Sequence, residues 1–164
     1  MGLWTSKEIW RSLSRDQRLA AAQALFEDAR LPRAARVQAL APWLKARGMR
    51  LAFLDQLPRA RRAQALADGG LPEETATQVL LSYHLVRQRP LLARFLDELG
   101  AKHEDGVLQD GGLDGPPPAD VLRGAVDKIR AEFPAQDVDL YVRTLTAMDA
   151  ELWSGLSDFA GDPE

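Results

Sequence analysis

Apolar residues recur along this chain at intervals of three and four, and no stretch alternates at two as a half-buried strand does. The pattern predicts an all-α fold, a compact bundle of about eight or nine helices with HEAT-like helical hairpins as its architectural analogy. The first helices run from Ser6 to Leu13 and from Ser14 to Asp28, the second opened by Ser14 with Gln17 at capping-box spacing and carrying a stripe of Leu19, Ala22, Leu25 and Phe26. Pro32, Pro58, Pro72, Pro90, Pro118 and Pro134 each precede a helical pattern, where a missing N–H costs nothing. After Pro32, Val37, Leu40 and Leu44 share a face closed by Gly48, and Pro42 predicts a kink or break inside that helix. A short helix from Arg50 to Leu57 and another from Pro58 to Ala67 follow, the latter ended by Gly69 and Gly70.

The segment 72–88 differs in kind. Val79, Leu80, Leu81, Tyr83, Leu85 and Val86 leave it almost no polar face, which marks a central helix. Leu91, Leu92, Phe95, Leu96 and Leu99 then form an amphipathic helix capped by Gly100. A Gly- and Pro-rich stretch, 101–117, separates this N-terminal part (1–100) from two closing helices (118–158), and its length makes it a candidate functional or mobile loop. The closing pair carries Leu122, Ala125, Val126, Ile129 and Phe133, then Val138, Tyr141, Leu145, Met148 and Leu152. Gly155 should fray the last helix and 161–164 should form a disordered tail. The whole reads as a single helical domain.

An internal echo runs through the first half. Leu31–Ala41 and Leu57–Ala67 agree at nine of eleven positions, and Phe53–Leu57 resembles Phe95–Leu99. Duplication is plausible, but the offsets between echoes differ, whereas repeat arrays keep a fixed period.

Composition narrows the chemistry. The chain has no cysteine, which removes disulfides, thiolate metal sites and cysteine nucleophiles and fits a reducing compartment. Lys7, Glu8 and Arg11 interrupt any leader-like apolar run, and no span approaches the ~20 apolar residues that cross a bilayer. A cytoplasmic protein with no membrane partner is expected, although Gly2 with Ser6 matches a loose myristoylation pattern. Residues 1–62 carry 13 Lys and Arg against 5 Asp and Glu, while residues 63–164 carry 8 against 19. Opposite halves can steer a partner, bring two copies together head to tail, or attract each other within one fold; the last is the simplest expectation.

Candidate chemistry is sparse. His84 in the central helix and His103 in His103-Glu104-Asp105-Gly106 suit metal or acid–base work in principle, but no ligand spacing such as His-x-x-x-His is present. The bland alternative is a partly buried helix histidine and a solvated turn whose Asp105-Gly106 favours positive φ. Ser82 is two residues from His84 and points elsewhere on the helix, and phosphate-binding glycine fingerprints are missing. No catalytic residue, metal site or cofactor is expected. The arginines Arg33, Arg36, Arg59, Arg61 and Arg62 suit an acidic protein face or phosphates. Nucleic acid is disfavoured, because the helix following Pro72 is too apolar to lie in a groove and aromatic interleaving is missing. Trp4, Ile9, Trp10 and Leu13 form either core or a docking stripe.

The expected function is therefore a non-catalytic helical interaction or assembly module, binding a protein partner or a second copy through the five arginines. The alternative is a small-ligand protein or enzyme with a pocket against helix 72–88, using Tyr83, His84, His103 and Glu104. A third reading is nucleic-acid binding through the Arg-rich half.

Overall fold

The computed structural model describes residues 3–163; Gly2, on which the acylation pattern depends, lies outside them, and Ser6 is buried. The described chain is all-α apart from one minute hairpin. Its helices are α1 (Ser6–Ser12), α2 (Arg15–Glu27), α3 (Arg33–Ala46), α4 (Arg59–Asp68), α5 (Glu73–Arg87), α6 (Arg89–Glu98), α7 (Ala119–Glu132), α8 (Ala135–Met148) and α9 (Ser157–Ala160). Two 3₁₀ segments, Leu51–Gln56 and Ser154–Leu156, join α3 to α4 and lead into α9. No described helix is long and apolar enough to cross a membrane.

Local chemistry places most boundaries. Thr5 with Glu8 and Ser14 with Gln17 form reciprocal capping boxes that start α1 and α2. Pro32, Pro58, Pro72, Pro118 and Pro134 occupy the N-cap positions of five later helices, while Pro90 lies inside the first turn of α6. Gly48 and Gly100 end α3 and α6 at positive φ, +63° and +66°, a region that favours glycine. Pro42 does not break α3, which runs continuously through it. A proline N–H is nonetheless missing there, so the Gln38 carbonyl has lost its helical donor.

The core is organised around α2 and α5. They pack on each other, α4 packs on α2, and α5 also meets α1, α6 and α8, as its apolar circumference requires. Ile9, Leu25, Leu66, Leu80, Phe95, Leu122 and Ile129 are among the fully buried side chains. Trp4, Trp10, Leu13 and Trp153 are core residues too, so the N-terminal aromatic stripe is occupied within the chain.

The remaining differences are tertiary. Within 101–117, His103–Glu104 pairs antiparallel with Val107–Leu108 around a turn with Asp105 at φ +49° and Gly106 at φ +87°. Two positive φ values at the centre of a two-residue turn give the twist that a tight hairpin needs. Backbone bonds from Lys102 N to Gly112 O (3.1 Å) and Gln109 N to Lys102 O (3.0 Å) tie the loop together. In α8, Thr144 and Thr146 are buried and Met148 is exposed, because α1, α5, α7 and α9 contact the helix on several sides. Gly155 does not fray: a Cβ there would lie 2.6 Å from Leu122 Cδ1, so its lack of a side chain lets the segment sit against α7. The Trp4 indole N–H is directed at the carbonyls of Ala160 (3.1 Å) and Gly161 (2.8 Å), anchoring the start of the supposed tail.

Candidate functional site

Five arginines were expected to form a binding face, and the fold divides them. Arg33 and Arg36 on α3 and Arg62 on α4 converge on one crevice of about 210 Å³ whose walls include Phe26, Leu40 and Leu54. Its single carboxylate, Asp55, comes from the 3₁₀ segment and pairs with Arg33. Arg36 donates to the Asp28 carbonyl oxygen at 2.6 Å, and its shielded Nε has no partner. Arg62 Nε donates to the Leu57 carbonyl at 3.0 Å. Each guanidinium has five N–H donors, so all three retain donors beyond these bonds. Arg61 only reaches Gln64, at 3.5 Å, and among the described residues Arg59 forms no ion pair.

A buried anchor holds α3 in place. Asp28, at the end of α2, accepts from the Arg30 backbone (3.1 Å) and Nε (3.0 Å) and from the Ser82 hydroxyl on α5 (2.8 Å). Burial raises the pKa of its carboxyl, but the hydrogen bonds from Arg30 and Ser82 outweigh that and hold it below its ordinary value. The turn that aims α3 is thereby tied to the central helix.

The 3₁₀ segment that supplies Leu54 and Asp55 to the crevice also carries an apolar shoulder. Met49, Leu51 and Phe53 are exposed, although they fall within five residues of one another. Trp43, half-buried and covered by the guanidinium of Arg47 4.3 Å from the ring centroid, belongs with Arg47 to a cleft on the other flank of α3. On that flank three clefts of about 220, 450 and 170 Å³ adjoin, sharing Ala39, Pro42 and Thr75, and so form one groove facing the start of α5. α3 packs on α4 and the first 3₁₀ segment and buries only Ala39, Leu40 and Leu44. It is the least embedded of the long helices.

The histidines are arranged otherwise. His84 is buried, with Tyr83 and Tyr141 edge-on at 5.6 and 5.3 Å between centroids. The Thr144 hydroxyl donates to the Leu140 carbonyl (2.8 Å) and accepts from His84 Nε2–H (3.0 Å), leaving His84 Nδ1 as a lone pair with no partner. Burial pushes the imidazole down to about 3. The Tyr83 hydroxyl accepts from Gln88 at 3.3 Å. His103 is a hairpin fastener: Nε2 meets Asp97 at 2.6 Å and Nδ1 accepts from Gly106 N–H at 3.2 Å, while Glu104 faces solvent. None of the four lines any of the clefts described here. Among the described residues no three His, Asp or Glu side chains gather as a metal site would require.

A cleft of about 510 Å³ lies between Trp4, Arg11, Arg143 and Asp162. Its main polar groups have internal duties, Glu8 capping α1 and Arg143 stacked on Trp4 at 4.6 Å. The basic stretch differs in carrying guanidinium donors in excess of its internal bonds. Residues 29–62 contain nine Arg and Lys against one acid, Asp55.

No protein-family model, curated protein or solved structure matches the chain.

The exposed shoulder was not anticipated. The sequence predicts a short helix from Arg50 to Leu57, yet a six-residue 3₁₀ segment has too little length to bury every apolar side chain it carries, and only Leu54 is buried. The available signal was the closeness of Gly48 to Pro58.

Proposed function

We propose that this chain is a non-catalytic interaction module that docks an acidic protein surface on the face formed by α3, the first 3₁₀ segment and α4. One observation carries the reading: exposed Leu51 and Phe53 belong to the same short 3₁₀ segment, with exposed Met49 just before it, whose Leu54 and Asp55 line the crevice on which Arg33, Arg36 and Arg62 converge. Apolar anchors within an arginine rim are the composition expected of a docking patch, with burial supplying affinity and charge supplying steering and register. Guanidinium forks accept carboxylates in pairs, which favours acidic side chains as the complement. The pocket reading gains no support from the clefts described above, none of which is lined by the buried His84.

Fluorescence anisotropy with a labelled synthetic peptide of alternating Glu and Leu tests the reading, with a Lys–Leu peptide and a DNA duplex as controls. The acidic peptide should bind and the Lys–Leu peptide should not. Changing Arg59, Arg61 and Arg62 to Glu should weaken binding at least about tenfold, because each contact becomes a repulsion. Leu51→Ser with Phe53→Ser should also abolish it while leaving stability within about 0.5 kcal/mol, as both side chains are exposed. Binding of the duplex but not of the acidic peptide would replace this reading with the nucleic-acid one.

A further inference from the structure

The charge asymmetry of the sequence is also an asymmetry in space. Residues 97–164 carry sixteen acids against five Arg and Lys, the inverse of 29–62. Ten ion pairs tie the described residues together, and none joins the basic stretch to the acidic one. Of the basic elements, α4 packs on α2 and α3, and α3 on α4 and the first 3₁₀ segment, whereas α7 packs on α6, α8 and the second 3₁₀ segment. Arg15 of the basic half does pair with Asp68 of the acidic half, but the most basic stretch, 29–62, and the most acidic, 97–164, share no ion pair within one copy among the described residues.

The acidic pole has its own apolar component. α7 and α8 form a helical hairpin, and Gly155, just beyond α8, lies against Ala119 and Leu122, so the start of α7 and the end of α8 share one end of the molecule. Asp114, Asp120, Asp149 and Glu151 are exposed there and form no ion pair among the described residues. Val121 and Met148, 40% and 44% exposed, belong to the same end. The described chain exposes seven large apolar side chains; three belong to the basic shoulder and two to this acidic end.

We infer that the occupant of the basic face is the acidic end of a second copy, so that copies associate head to tail. The inference rests on the docking face proposed above and names its partner. Asp120, Asp149 and Glu151 of one copy meet Arg33, Arg50 and Arg59 of the next, with Val121 and Met148 against Leu51 and Phe53. Because the two surfaces are different, the contact is heterologous and repeats until a ring closes or a filament grows. Asp55, already on Arg33, occupies the place of an incoming carboxylate and acts as an internal competitor.

A charge exchange tests this on the full-length chain by sedimentation velocity. The wild type should grow in mass with concentration past the dimer, and association should weaken at least about tenfold between about 50 and about 500 mM salt. A basic-face variant (R33E, R50E, R59E) and an acidic-end variant (D120K, D149K, E151K) should each be monomeric alone, since each then carries like charge at both ends. Mixed in equal amounts they should associate again, because reversed face meets reversed end. Circular dichroism establishes that both are folded. Asp55→Asn should tighten wild-type association several-fold. Failure of the mixture to associate, or self-association of either folded variant at wild-type strength, would overturn the inference. A monomeric wild type that still binds the acidic peptide would overturn it too while leaving the docking reading intact; a monomeric wild type that ignores the peptide would remove both.

Discussion

His84 shows what one side chain does when the fold seals it. Its neighbours are Tyr83, Tyr141 and Thr144, and its single hydrogen bond fixes the neutral Nε2–H tautomer. Protonation at Nδ1 would place a charge against two ring edges with no acceptor in reach. The sign of the pH dependence follows directly. The group titrates near 6.5 when unfolded and at about 3 when folded, so below 6.5 the unfolded chain binds more protons. Stability is whole above pH 6.5 and is lost as pH falls towards 3; at pH 4.5 the loss from this residue is about 3 kcal/mol. Urea unfolding at pH 7.5 and 4.5 should show that loss in the wild type and its near disappearance in His84→Phe, which needs no proton. An equal loss in the variant would assign the acid sensitivity to other groups. Asp28 acts in the same direction at lower pH, since its depressed carboxyl stabilises the fold only while ionised.

Among the elements, α3 stands apart. It carries a proline in its interior, buries little, and has a groove on one flank and the arginine crevice on the other. Pro42→Ala would restore the N–H that the Gln38 carbonyl lacks, and thermal unfolding should show a gain of about 1 to 2 kcal/mol, reduced from the full helix-interior cost by the unfolded-state entropy that proline removes. No gain would mean that the carbonyl is served by water in the groove. Helix boundaries were legible in the sequence because they are local: a capping box is completed within four residues, and Pro32 or Pro134 acts on the turn that follows it. The site was legible only in part. Arg33, Arg36 and Arg62 were singled out for their chemistry, but their convergence depends on how α3 crosses α4, and the Asp55 pairing depends on a 3₁₀ turn of modest local preference. The hairpin was half visible: Asp105-Gly106 announced the turn, whereas strands of two residues are too short to carry a period. Thr144 and Thr146 look like the polar side of α8 until four neighbouring helices enclose it.

For the whole molecule, a net charge of −3 conceals two poles of opposite sign that fold apart from each other. Such a body feels a partner's field before contact, and the effect fades at physiological salt over roughly 8 Å. The tryptophans are just as unevenly distributed: Trp4, Trp10 and Trp153 are buried, Trp4 at the wall of the 510 Å³ cleft, and only Trp43, under Arg47 on α3, is half-buried. The consequence is optical: the protein carries its own reporter. Iodide, drawn to the basic pole, should quench one emission component and leave the blue-shifted remainder untouched. Anything that settles on α3 should protect that component and change its colour. A partner approaching from elsewhere on the surface would leave the spectrum still, so the light the chain emits distinguishes which side has been occupied.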